Sequence, residues 1–88
     1  MLSAEQVDEI RRVIAEHGRL AVEIDSVGNA TDLFSAGMTS HASVNVLLAL
    51  EAAFDVEFPD RMLKRSVFES IDAIADAIDE LMNANASV

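Results

Sequence analysis

The chain has 88 residues, no cysteine, six basic against 16 acidic side chains and a formal net charge of -10. That length supports one small domain burying about 60% of its unfolded surface, with no volume for an enclosed active site. Without cysteine there are neither disulfides nor thiolate metal sites, and so few bases argue against nucleic acid while favouring basic protein surfaces as partners.

No apolar run approaches the roughly 20 residues that span a bilayer, and no basic, apolar leader opens the chain. The expectation is one domain over residues 1–88, monomeric and cytoplasmic, with no membrane partner.

Ser3 followed by Gln6 is a capping-box pattern, and Leu2 with Val7 suits a hydrophobic staple, so a first helix starts at about Ala4. Val7, Ile10, Val13, Ile14 and His17 recur at three- and four-residue steps and form one stripe; Glu5, Asp8, Glu9, Arg12 and Glu16 fill the rest of the circumference. Gly18 marks its end. From Arg19 to Met38 there is no sustained period, which predicts a long loop with local helical turns, held down by Leu20, Val22, Ile24, Val27, Leu33 and Phe34, with Leu33 and Phe34 as its main anchors. Asp25, Asn29 and Asp32 in that loop fail the spacing of a calcium loop, and no metal site is expected.

Thr39 suits the cap of a second helix that begins at Ser40 and ends near Phe54. Val46, Leu47, Leu50, Ala53 and Phe54 make its core stripe, while Val44 and Leu48 fall outside it, so this helix is apolar on more than one side. Residues 40 to 50 carry no charge. Pro59 holds Phe58 extended, and Asp60 is placed to cap a short third helix running to Leu63 or Lys64, with Phe58, Met62 and Leu63 turned inward. Ser70 caps a last helix with the stripe Ile71, Ile74, Ala75, Ile78 and Leu81, and with Asp72, Asp76, Asp79 and Glu80 facing water. Residues 83–88 are expected to fray. No run alternates as a strand does, so the predicted fold is an all-α bundle of three longer helices and one short one.

A hydroxyl at the first position of a helix lies where unpaired amides and the positive end of the helix dipole favour an attached anion. Serine is common there, and position alone does not single out Ser40. The whole run Asp32-Leu33-Phe34-Ser35-Ala36-Gly37-Met38-Thr39-Ser40-His41-Ala42-Ser43-Val44 does more, followed as it is by Leu50-Glu51-Ala52-Ala53-Phe54-Asp55-Val56-Glu57-Phe58-Pro59 and Phe68-Glu69-Ser70-Ile71. It closely resembles the acyl carrier protein family, with the attachment motif D-L-F-x-x-G-x-D-S-L, from about residue 3 to residue 82 without a gap.

That resemblance implies a four-helix carrier bundle that is not an enzyme. Ser40 then receives covalent 4'-phosphopantetheine from a phosphopantetheinyl transferase, and the arm's thiol holds a cargo as a thioester for a ligase and a downstream acceptor enzyme. Gly37 is the motif glycine and the second helix reads partners, which implies a docking surface of Gly37, Met38, Thr39, His41, Val44, Asn45, Leu48, Arg61, Met62 and Arg65. Thr39 stands where most of the family has Asp, and His41 where most has Leu. The neutral second helix departs from the family's usual acidic one and favours reading by apolar shape over charge. Thr39-Ser40, the Ala42-Ser43-Val44 that comes just after, and Phe-Asp-Val-Glu-Phe-Pro-Asp before Leu63-Lys64-Arg65 together look like a bacterial subgroup charged with glycine or alanine by truncated homologues of seryl-tRNA synthetases. A fatty or polyketide acyl cargo is the alternative within the family, and an unmodified helical interaction module is the alternative outside it. No carboxylate is set to make a triad with Ser40 and His41, which excludes a hydrolase.

Overall fold

The computed structural model describes residues 2–86, with side chains through residue 83. Helix α1 spans Ala4–His17, α2 Ser40–Phe54, α3 Arg65–Phe68 and α4 Ile71–Ala86. Single 3-10 turns at Ile24–Ser26 and Asp60–Met62 interrupt the connections. Three longer helices and a short one therefore form the predicted bundle. Among the described residues no helix is long and apolar enough to cross a membrane.

The helix starts follow from local chemistry. Ser3 Oγ accepts from the Gln6 amide at 3.2 Å while Gln6 Oε1 accepts from the Ser3 amide at 2.9 Å, closing the capping box that opens α1. Ser70 Oγ accepts from the Ala73 amide at 3.1 Å and caps α4. At the end of α1 the Gly18 amide donates to Ile14 O, and the left-handed residue is Arg19, at φ 51. Helix α2 ends on Asp55, also left-handed at φ 54, while Glu51 Oε2 accepts from the Phe58 amide at 2.9 Å and fixes the turn that follows.

Ile10 and Ile14 of α1, Val46 and Leu50 of α2, and Ile71, Ile74 and Ile78 of α4 are wholly buried, and they meet as one core. Phe58 and Phe68 close its end with ring centroids 5.5 Å apart.

Several expectations are corrected. His17 is exposed, because its position at the last turn of α1 swings past the edge of the stripe. Ala53 is exposed as well, and the α2 core positions are Ala42, Val46 and Leu50, at four-residue steps. The predicted third helix is displaced: Asp60 begins only a 3-10 turn and makes no side-chain cap, and the α-helical turn comes at Arg65–Phe68. Phe58 (7%) and Met62 (5%) are buried as expected and Phe68 (6%) joins them, whereas Leu63, expected inward, is 48% exposed. The expected fraying of residues 83–88 falls partly outside the described residues: α4 continues to Ala86, and residues 87 and 88 lie beyond them.

Of the expected loop anchors Val22 is 48% exposed and holds nothing down, and the loop is fastened by polar bonds as well as by its apolar side chains. Val27 is buried beside Leu33, and Arg11 reaches out of α1 to Asn29 Oδ1 at 2.9 Å and to the carbonyls of Ile24 and Val27. Two backbone bonds fasten the loop to the α3–α4 corner, from the Leu33 amide to Glu69 O (2.7 Å) and from the Asp72 amide to Asn29 O (2.9 Å). The segment before α2 is thereby tied to the opposite end of the chain.

Candidate functional site

Each residue of Asp32-Leu33-Phe34 has a separate task. Asp32 Oδ1 accepts from the amides of Phe34 (2.9 Å) and Ser35 (3.3 Å), capping a tight turn. Leu33 is fully buried beneath that turn, and its carbonyl accepts from the Ala36 and Met38 amides at 3.1 and 3.0 Å. Phe34 turns partly outward, and the Arg65 guanidinium carbon sits 4.1 Å above its ring centroid.

The hydrogen bond from the Ser35 amide, helped by the Ser35 hydroxyl, the Phe34 amide and the Arg65 charge against partial desolvation, holds the Asp32 carboxyl below its ordinary value of 3.8. A depressed carboxylate stabilises the fold above that ordinary value, and the contribution is lost as pH falls through the lower folded value. Unfolding followed between about pH 2 and pH 6 is expected to show an acid-sensitive component that Asp32→Asn lacks. Identical pH profiles would show the turn to be held by Leu33 alone.

Gly37 has φ +118, and a Cβ there would stand 2.6 Å from the Ala21 amide nitrogen. The Ala21 amide donates to Ala36 O at 2.9 Å, so the two strands of the loop lie against each other at this point. The glycine is required by this internal contact and backbone conformation.

Thr39, at φ -87 and ψ 166, caps α2: its Oγ1 accepts from the Ala42 amide at 3.0 Å and its carbonyl from the Ser43 amide at 2.9 Å. Ser40 is the first helical residue and is exposed, and among the described residues its hydroxyl makes no hydrogen bond. Its carbonyl accepts from Ser43 Oγ at 2.6 Å. Beside it opens a cleft of about 440 Å³ walled by Phe34, Ser43, Val44, Leu47, Leu63, Lys64, Arg65 and Phe68.

Of the residues expected to form a docking surface, Thr39, His41, Val44, Leu48, Arg61 and Arg65 are exposed, and Gly37 and Asn45 are half-buried. Val44 and Leu48 show 52% and 58% of their surface, one turn apart on α2. Met38 (2%) and Met62 (5%) are instead core residues, where an unbranched side chain fills space in the common cluster. Arg61 pairs with Glu80 of α4 at 2.9 Å and stands apart from the cleft. Sequence reasoning missed Phe34, Ser43, Leu47, Leu63 and Phe68 as cleft walls. The three-residue step from Val44 to Leu47 was the available signal, but it reads equally as core.

An exposed, uncommitted hydroxyl at a helix start, set beside an open cleft on a bundle too small to enclose a reaction, suits a carrier of an attached group. Comparison with known proteins gives that class a family. The family model for the phosphopantetheine attachment site matches residues 8–78. Over 74 residues the chain is 42% identical to the aminoacyl carrier protein of Agrobacterium fabrum (strain C58 / ATCC 33970), spanning 84% of this chain and 89% of that protein. Among solved structures, it matches a chain in the crystal structure of an engineered Bradyrhizobium japonicum glycine:[carrier protein] ligase complexed with carrier protein from Agrobacterium tumefaciens and AMP. There the identity is 42% and the TM-score 0.81, over 83% of this chain and 97% of that one. A second match, at 26% identity and TM-score 0.72 over 83% and 97% of the two chains, is in the Bradyrhizobium japonicum ligase complexed with glycylated carrier protein.

The chain belongs to the phosphopantetheine-attachment-site family of carrier proteins. It is non-catalytic and carries covalent 4'-phosphopantetheine, whose terminal thiol supplies a thioester linkage for cargo. The geometry fits such a group. The first turn of α2 offers unpaired amides and the positive end of its dipole, which would favour a phosphodiester attached there, and a largely apolar cleft opens beside it.

Proposed function

We infer that Ser40 is the attachment point and that the arm carries a small amino acid, glycine before alanine. A ligase of the seryl-tRNA-synthetase-like kind loads it, and a downstream acceptor enzyme receives it, all in the cytosol. The observation that carries this reading is the exposed, unbonded Ser40 hydroxyl at the start of a helix uncharged from residue 40 to residue 50. The relatives support the cargo, since one is an aminoacyl carrier protein and another was crystallised in its glycylated form with a glycine:[carrier protein] ligase. A fatty acyl cargo has less support, because neither of these relatives is a carrier of that kind.

The test is to incubate the arm-bearing protein with such a ligase, ATP, and glycine, alanine, serine or a fatty acid in turn, and to weigh the product. Glycine is expected to load fastest and alanine more slowly, by roughly 10- to 200-fold for one added methyl group. Loading by a fatty acyl ligase and by none of the amino acids would reverse the assignment.

Exposed Val44 and Leu48 lead to a second expectation, that ligase affinity changes only slightly with salt. A steep loss of affinity between low and high ionic strength would show that charge governs docking.

A further inference from the structure

Four of the six basic side chains lie away from the Ser40 cleft. Arg12 pairs with Glu9 and Glu16, Arg61 pairs with Glu80, Arg11 is committed to the loop carbonyls, and Arg19 lies in the loop. The remaining two, Lys64 and Arg65, are consecutive, exposed and without a carboxylate ion pair among the described residues, and both form the wall of that cleft. In a chain of net charge -10 this is a local reversal of sign at the one place where a monoanionic phosphodiester would be attached.

Arg65 is also shaped for the task. Its guanidinium carbon lies 4.1 Å from the Phe34 ring centroid, and among the described residues its N–H edge makes no hydrogen bond, which leaves that edge available to the phosphate oxygens that arginine grips well. The Asp32 carboxylate feels the Arg65 charge, but its nearer bonds are to the Phe34 and Ser35 amides, so it does not take up that edge. Lys64 makes no ion pair among the described residues and sits between the cleft and a neighbouring groove that includes Asp76 and Glu80.

Resting on the assignment of the arm to Ser40, we propose that Lys64 and Arg65 are positioning residues that pair with the arm's phosphodiester. They lay the arm along the cleft of Val44, Leu47 and Leu63 instead of leaving it to be repelled into solvent by the acidic bundle. The docked arm covers apolar surface that would otherwise stay wet.

The chain has no cysteine, so the thiol of an attached arm is its single thiol and takes a nitroxide label selectively. In the labelled protein the amides of Val44, Leu47, Leu63 and Phe68 are expected to broaden far more than those of α1. In Lys64→Gln/Arg65→Gln the docked-to-free ratio read from that broadening is expected to fall about fivefold. The same loss is expected for the unaltered protein at 1 M salt, where the Debye length is about 3 Å. Lys64→Gln alone keeps the Phe34 stack and is expected to lose about twofold, which guards against a double variant that unfolds.

Equal broadening in the variants and the unaltered protein, or broadening that does not favour the cleft, overturns the pairing while leaving the attachment to Ser40 standing. A chain whose mass shows no arm before labelling overturns both.

Discussion

Leu33→Ala is expected to lower stability by about 3 to 4 kcal/mol, within the range for large-to-small changes at fully buried sites. Leu33 has 0% exposure, and its main chain is bonded to the Glu69 carbonyl and to the Ala36 and Met38 amides, so the cavity cannot close by a simple shift of the loop. An 88-residue domain has roughly 4 to 13 kcal/mol to lose. The melting temperature should fall by about 12 to 30 °C, and urea unfolding should show an earlier midpoint with an unchanged slope. A loss under about 1 kcal/mol would mean that the loop is not anchored through this side chain. Because Leu33 lies one turn before the segment that presents Ser40, the same variant tests whether the motif leucine acts through the fold.

Gly37→Ala comes second, at about 2 to 4 kcal/mol, from a positive φ that alanine adopts poorly and from a forced displacement of Ala21. A different purpose for this glycine would be a bare backbone that a modifying enzyme could approach closely. The two explanations separate cleanly. A glycine needed only by the enzyme would leave the melting temperature unchanged and slow arm transfer, whereas one needed by the loop lowers the melting temperature first. Ala21→Gly in the Gly37→Ala background should recover part of the loss, since the Ala21 Cβ stands 3.0 Å from the new methyl.

What could be read from the chain was whatever is decided within one helical turn. Ser3, Thr39 and Ser70 were legible as caps because each bonds an amide three residues on, and the α4 stripe was legible because Ile71, Ile74 and Ile78 follow the helix period. Contacts across the chain were not. Arg11 looks like one more charge on a surface helix, and nothing near it in sequence announces the carbonyls of Ile24 and Val27, 13 and 16 positions away.

The third helix was misplaced for a related reason. Lys64 offers no side-chain cap to α3, whose four residues are fixed by Phe68 packing on Phe58 and not by local propensity. Proline and aspartate at 59 and 60 gave a strong local signal that produced only a 3-10 turn. That displacement sent Leu63 outward to the cleft while Met62 kept its inward place, so the cleft beside Ser40 was the part of the site least visible in the sequence. Ser40 itself needed the longer run of flanking residues, since a first-turn serine is common on its own.

The most direct test is an intact-mass measurement of the protein and of Ser40→Ala, each produced with an active phosphopantetheinyl transferase. The predicted result is one phosphopantetheine on the unaltered chain, localised to Ser40, and none on a Ser40→Ala chain that melts at the same temperature. A bare mass for the unaltered protein, or an arm on the alanine variant, would contradict it.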